Sequence, residues 1–456
     1  MPKKQKLNYE ALQDELLSHL RKGPEKAKKL CQLLRISQPA FSRLVNKMEE
    51  KVCTFGAASQ TLYGLKREIP KVGFTINIYV VDEKGQSTLY GELFSISPKG
   101  FCFVLKEEGI FQDKFFEDLP FFLDDLRPNG FLGRLIPHTH SELDLPKNIN
   151  QWTSNHCLQY LTEYGTDLIG NLILGDRAFE RYLAKTQKSK PGIQLSERIH
   201  EYPQMANNIL QYGDPGSSAG GEQPKFPAVL ENEKSVLVKF SPKLNNPLAM
   251  RRADLLICEH ISHRVLKDHG HLSSKSELIF GENQLFLEVK RFDRIGFFGR
   301  RGVISLNALN NEYIGITGDW KKVAQALLKQ KIITQKIAEE IYWQHIYGKL
   351  IANSDMHLAN LSLYFDKGTV TGITPSYDML PMLYAPQNEE VVSREFTPPL
   401  PTPSESIIFK KVLSVAIDFW ERVTNDLHVS SNFREIASQN MIKVKSLEKI
   451  TKLLPE

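Results

Sequence analysis

The run Ser354-Asp-Met-His-Leu-Ala-Asn360 sets Asn360 five residues after Asp355, and Tyr377-Asp378 follows beyond a segment that reads as a β-hairpin. Its two strands, Leu361 to Phe365 and Val370 to Thr374, flank Asp366-Lys-Gly-Thr369, so the chain reverses and returns Asp378 beside Asn360. A helix around Ile337, Ile341, Ile346 and Leu350 leads into the first aspartate. The fold must therefore bring two aspartates and an asparagine together at the base of one hairpin. One aspartate can accept a hydroxyl proton, while the asparagine and the second aspartate can hold Mg²⁺ on nucleotide phosphates. The plainer readings are turn capping for Asp378 and a structural role for His357.

Upstream elements stand in the order a protein kinase needs. Asp214-Pro-Gly-Ser-Ser-Ala-Gly-Gly-Glu-Gln-Pro-Lys-Phe226 is rich in glycine, which lets main-chain N–H groups approach a phosphate, but it does not match a Walker-type loop. The strand Ser235 to Phe240 follows and carries Lys239 near its end, where a kinase lysine holds phosphates and an isolated lysine would snorkel to water. A helix from Ala249 to Leu266 offers Asp254 or Glu259 as that lysine's acidic partner, and the sequence does not choose between them. A further strand, Leu285 to Val289, runs into Lys290-Arg-Phe-Asp-Arg294 as a hinge between lobes would.

The chain's 456 residues imply more than one domain, and its composition of 41% apolar and 24% charged residues excludes a disordered chain. No apolar run approaches the roughly 18 residues a membrane helix needs, so a cytoplasmic location without membrane partners is expected. Five scattered cysteines with no C-x-x-C pair read as buried reduced thiols rather than a disulfide or zinc framework. Residues 1–70 carry a net charge of +7 against +5 for the whole chain, which places a polyanion partner at the N-terminal end.

There, Leu12, Leu16, Leu17 and Leu20 mark one helix, and Ala27, Leu30, Leu33 and Leu34 a second. A third is capped by Ser37, with Pro39 in its first turn and Phe41, Leu44, Val45 and Met48 on its inner face. Gln38, Ser42, Arg43 and Lys47 point away from that face. With the strands Val52 to Phe55 and Thr61 to Leu65, this describes a winged helix-turn-helix whose third helix reads DNA, the alternative being a small protein-interaction domain.

After a linker come strands at Thr75 to Val81, Ser87 to Phe94 and Gly100 to Leu105, and an apolar helix from Phe115 to Leu126. Lys185 to Gly192 reads as a surface loop, and the proline-rich residues 397–403 as a connector into two final helices. The expected fold is α+β: a winged helix-turn-helix over residues 1–68, an α+β module over 74–145, an N-lobe over 150–289 and a mainly helical C-lobe over 290–456.

At Ser217-Ser-Ala-Gly-Gly-Glu-Gln-Pro-Lys225, Lys290-Arg-Phe-Asp-Arg294, Ser354 to Asn360 and Tyr377-Asp-Met-Leu-Pro381, the sequence resembles the HipA family of bacterial serine/threonine kinase toxins. It is most similar to the YjjJ branch, in which a helix-turn-helix precedes the kinase, and the similarity covers nearly the whole chain. The resemblance implies a two-lobed kinase-like body that uses ATP and Mg²⁺. Ala219, Gly220, Gly221, Glu222, Gln223, Lys225 and Lys239 would touch the nucleotide, and Lys290, Arg291 and Phe292 would line the adenine pocket. His357, Asn360, Tyr377 and Asp378 would complete the site, with Asn360 and Asp378 on the metal and Asp355 as catalytic base.

It also implies autophosphorylation at Ser217, with Ser218 the near alternative, a protein substrate such as an aminoacyl-tRNA synthetase, and a homodimer. Three departures stand out. The glycine loop is one residue longer at Gly221-Glu222, Lys290 replaces a common acidic residue, and a DNA-binding element usually found on a separate antitoxin is fused to the chain. Two other classes fit less of the pattern: a transcription regulator with a sensor pseudokinase body, and a DNA-acting toxin with metal on Asp355 and Asp378.

Overall fold

A computed structural model describes residues 9–56, 61–106, 114–187, 192–211, 223–232, 234–402 and 405–451. The fold is mixed α/β and divides into two compact units. The first takes residues up to 82 with 86–127 and 143–189, and the second takes 83–85, 128–142 and the chain from 190 onward.

In the first unit, helices Tyr9–Leu20, Ala27–Leu34 and Gln38–Asn46 enclose Leu16, Leu20, Leu30, Leu34, Phe41, Leu44, Val45 and Met48. Each of these residues lies on the apolar stripe its helical period dictates. Ser37 has the extended backbone of an N-cap and Pro39 occupies the first turn, but the Ser37 side chain accepts no hydrogen bond. Gln38, Ser42, Arg43 and Lys47 are exposed, and Lys47 Nζ lies 4.6 Å from the centre of the Tyr9 ring. Strands Val52–Phe55 and Leu62–Leu65 pair, and Glu25–Lys26 adds a short third strand on the far side of Leu62–Leu65.

The unit's larger sheet is antiparallel, in the order Lys114–Phe116, Phe101–Leu105, Ser87–Ser95, Thr75–Val81, Leu172–Leu174. Three expectations fail here. Phe115 to Leu126 is not one helix but the strand Lys114–Phe116 followed by the 3₁₀ turn Phe121–Leu126. Pro120 removes an N–H and restricts Leu119, and the phenylalanines favour a sheet edge. The division between 145 and 150 also moves: Leu172–Leu174 pairs with Thr75–Val81, and Ser154–Tyr164 and Asp176–Gln187 pack beside that strand, so residues 150–187 go with the first unit. Lys185 lies in the last turn of helix Asp176–Gln187 rather than opening a loop, and residues 188–191 lie outside the described residues. Four of the five free cysteines are buried, while Cys31 is half-buried.

The second unit is built on a four-stranded antiparallel sheet in the order Ser276–Gly281, Gln284–Lys290, Ser235–Phe240, Lys225–Val229. Tyr202, Phe226, Val238, Phe240 and Phe286 form the core against helix Arg198–Leu210. Helix Pro247–Asp268 contacts three of the strands, starting from an Asn246 side chain that accepts from Ala249 N at 2.8 Å and a proline in its first turn. Helices Trp320–Lys329, Gln335–Leu350, Ser406–Asn425 and Ser431–Ser446 follow, together with the expected hairpin, Ser362–Asp366 and Thr369–Ile373. No helix among the described residues is long and apolar enough to cross a membrane.

Candidate active site

Lys239 stands on strand Ser235–Phe240, opposite Lys225 on its neighbour. It does not snorkel: only 5% of it is exposed, and its Nζ donates to Glu259 Oε1 at 2.6 Å, to Oε2 at 2.7 Å and to Asp378 Oδ1. All three ammonium donors are thus used. Glu259, not Asp254, is the partner, because the five-residue step from one to the other turns the two side chains to different faces of helix Pro247–Asp268. Asp254 instead accepts from Ser430 N at 2.8 Å and Ser430 Oγ at 2.7 Å.

Burial acts on all three charges. It would lower the Lys239 pKa, but the charges of Asp378 and Glu259 hold it above the ordinary value. Burial raises the Glu259 carboxyl, with Lys239 offsetting only part of the effect and Asp378 adding to it. Asp378 goes the other way: burial pushes it up, but Lys239 and Lys225 outweigh that and bring it down to about 2. One buried ammonium is therefore shared between a carboxylate that is reluctant to ionise and one that is firmly ionised.

Asp378 has a φ of 51°, a left-handed backbone that aspartate tolerates better than most residues. That turn lets its N–H donate to Glu259 Oε1 at 3.2 Å while its carbonyl accepts from Asn353 Nδ2 at 3.3 Å. Asn353 Oδ1 in turn accepts from Asp355 N at 3.0 Å, and Asn360 Nδ2 donates to Asp355 O at 2.8 Å. Buried Asn353 thus ties both aspartates together. Sequence reading missed it; the only signal is an asparagine two residues before an aspartate, the pattern of a side chain bonding the main chain two residues on.

The hairpin brings Tyr377 OH to 3.1 Å from Ala359 O and 2.8 Å from Ser362 Oγ. Phe292 stacks at a tilt on Tyr377, with ring centres 5.5 Å apart, and meets Tyr364 edge-on. Asp355 and His357 stay half-exposed, with His357 Nε2 3.9 Å from Asp355 Oδ1, and the loop is held from behind by Trp320 Nε1 donating to His357 O at 2.9 Å. Lys290 is exposed at the end of its strand, and Arg291 forks onto Asp293 at 2.9 and 3.0 Å. Gln223 donates to Phe240 O. Ser217, Ser218, Ala219, Gly220, Gly221 and Glu222 lie outside the described residues.

Behind Glu259, one helical turn on, buried His263 places Nε2 3.9 Å from Glu259 Oε1, and its Nδ1 lies 3.0 Å from Ser276 Oγ. His260 Nδ1 lies 3.0 Å from the same hydroxyl. A hydroxyl has one proton, so it donates to one imidazole and accepts from the other. The arrangement that keeps a lone pair from facing the carboxylate puts the Ser276 proton on His263 Nδ1 and leaves His263 Nε2–H toward Glu259. Burial, with Lys239 next, lowers the His263 pKa to about 3, so the ring stays neutral.

Set beside known proteins, residues 217–446 match the HipA-like C-terminal domain and residues 72–183 match the YjjJ-like toxin middle domain. The second match runs through Leu172–Leu174, the strand that completes the first unit's sheet. Toxin YjjJ of Escherichia coli (strain K12) is 35% identical over 443 residues, covering 95% of this chain and 98% of that protein. A solved Shewanella oneidensis MR-1 HipA, in a complex with HipB and operator DNA, covers 81% of this chain and 96% of its own at a TM-score of 0.52 and 14% identity, which shows a common fold. The chain belongs to the HipA-like family. Within that family it falls in the branch of YjjJ-like toxins.

Proposed function

We propose that this protein is an ATP- and Mg²⁺-dependent serine/threonine protein kinase of the HipA toxin type. The observation that carries the reading is the buried Lys239–Glu259 pair closed by Asp378, tied through Asn353 to the half-exposed Asp355. A lysine fixed by a glutamate, an aspartate beside it and a second aspartate open to an incoming hydroxyl are the parts phosphoryl transfer uses.

The donor set suits the expected ligands. Asn360 Oδ1 and the Asp378 carboxylate are oxygen donors of the kind Mg²⁺ takes, the ion neutralising phosphate charge when bound. Asp378 would exchange its bond to Lys239 for the cation and free one lysine N–H for a phosphate oxygen. Lys225, across the strand pair, adds positive charge, and Phe292 with Tyr377 offers an aromatic wall to the base. Asp355 would take the proton of the acceptor hydroxyl. The glycine loop, Ala219 to Glu222, would cover the phosphates, and phosphorylation of Ser217 or Ser218 there would switch the enzyme off.

The same reading makes residues 1–68 a winged helix-turn-helix that binds DNA through Gln38, Ser42, Arg43 and Lys47. Its support is their exposure and the local charge of the chain's N-terminal end. The HipA relative occurs with HipB and operator DNA, and here a basic helical element shares the chain with the HipA-like part. The substrate would be another protein, with an aminoacyl-tRNA synthetase as the first candidate, and the enzyme a cytoplasmic homodimer. To test the assignment, the full chain is incubated with γ-labelled ATP and Mg²⁺, alone and with a synthetase. The reading expects label on protein with the wild type and none with Asp378→Asn; equal labelling by both would overturn it.

A further inference from the structure

A cavity of about 440 Å³ opens in the second unit between the irregular segment around Arg394 and helix Ser431–Ser446, apart from the residues assigned to phosphoryl transfer. Its lining carries Arg251, Arg394 and Lys443 against a single acid, Glu395. Arg251 is the decisive member. It is only 4% exposed, its guanidinium lies 4.9 Å over the Phe433 ring, and its hydrogen bonds go to Asn432 Oδ1 at 2.9 Å and Tyr384 O at 3.4 Å, both neutral. Its Nε has no hydrogen-bond partner. The nearest carboxylate, Asp254, is 4.0 Å away and directs both oxygens to Ser430.

A guanidinium taken out of water without a hydrogen-bonded counter-charge is costly, and its fork matches the oxygens of a phosphate or carboxylate. Lys443 meets Glu395 Oε1 and Phe396 O at 3.1 Å each, so Glu395 neutralises one of the two outer cations and leaves Arg394, bonded to the neutral Gln387, uncompensated. The cavity's volume and its excess of positive charge around a buried guanidinium therefore point the same way.

We infer that this cavity is a binding site for a small oxyanion-bearing molecule, a phosphate or carboxylate compound, separate from the nucleotide site. Arg251 stands on the same helix as Glu259, eight residues and about 12 Å along the axis, so a ligand there touches the element that holds Lys239.

Calorimetric titration of the whole chain with inorganic phosphate, and separately with citrate, at constant ionic strength tests this. Saturable binding of one probe per chain is expected, weakened at least about tenfold in the surface double variant Arg394→Glu/Lys443→Glu with unchanged circular dichroism. Which probe binds tells a phosphate source from a carboxylate one. Asp378→Asn should leave the binding intact. No saturation with either probe, wild-type affinity in the double variant, or loss of binding in Asp378→Asn would each overturn the inference.

Discussion

The two halves of the candidate site are built in opposite ways. Lys239 and Glu259 are buried and bonded to each other, backed by a neutral histidine pair, and Asp378, about a third exposed at 31%, closes on Lys239, whereas Asp355 and His357 stand half in solvent on a loop held mainly through its main chain. The difference follows from what each half would handle. Phosphate charge needs fixed, desolvated counter-charges that cost no reorganisation, while a protein hydroxyl must be able to approach from outside. Stability and chemistry should therefore separate between the halves.

The sharpest way to break the comparison is Asp355→Ala. Phosphate transfer should fall by about 10²–10⁴-fold, the range for losing a general base, while the urea midpoint and nucleotide affinity hold. Lys239→Met should instead lose nucleotide binding as well as transfer and destabilise the fold by about 3–5 kcal/mol, because Glu259 is left as an uncompensated buried acid; urea denaturation reads the stability loss directly. Asn353→Ala joins the two halves and should cost about 1–3 kcal/mol, the loss of a buried hydrogen-bonding hub, with a drop in transfer larger than its drop in nucleotide affinity.

Acid should weaken the second unit through its buried histidines. His263, behind Glu259, and His345, on helix Gln335–Leu350 with Nε2 3.5 Å from Asp319 Oδ2, are held neutral mainly by burial, with pKa values lowered from 6.5 to about 3 and about 4. The unfolded chain binds those protons first, so stability is full above about pH 6.5 and is lost as pH falls toward 4 and then 3. Melting temperature against pH should show that limb, and His263→Gln should flatten it.

How much of this was legible in the sequence differs between the same two halves. Asp355, Asn360 and Asp378 lie close along the chain, and the hairpin that returns Asp378 could be read from alternating strands and a Lys-Gly turn. Lys239 and Glu259 are connected only through the packing of a helix on a sheet, and both Asp254 and Glu259 looked eligible until the helix face was known. His263, Ser276 and Asn353 escaped because a buried polar side chain has no periodic signature. Phe115 to Leu126 was misread because an apolar run without its proline weighed in serves a helix and a strand edge equally well. The strand Leu172–Leu174 is three residues long, too short to announce the sheet it completes.

The central claim, that one buried half holds nucleotide while one open half does the chemistry, is tested most directly by measuring Mg²⁺-ATP binding and label transfer together in the wild type, Lys239→Met and Asp355→Ala. The account predicts both activities in the wild type, binding without transfer in Asp355→Ala, and neither in Lys239→Met. Undiminished transfer in Asp355→Ala, or tight Mg²⁺-ATP binding in a folded Lys239→Met, would contradict it.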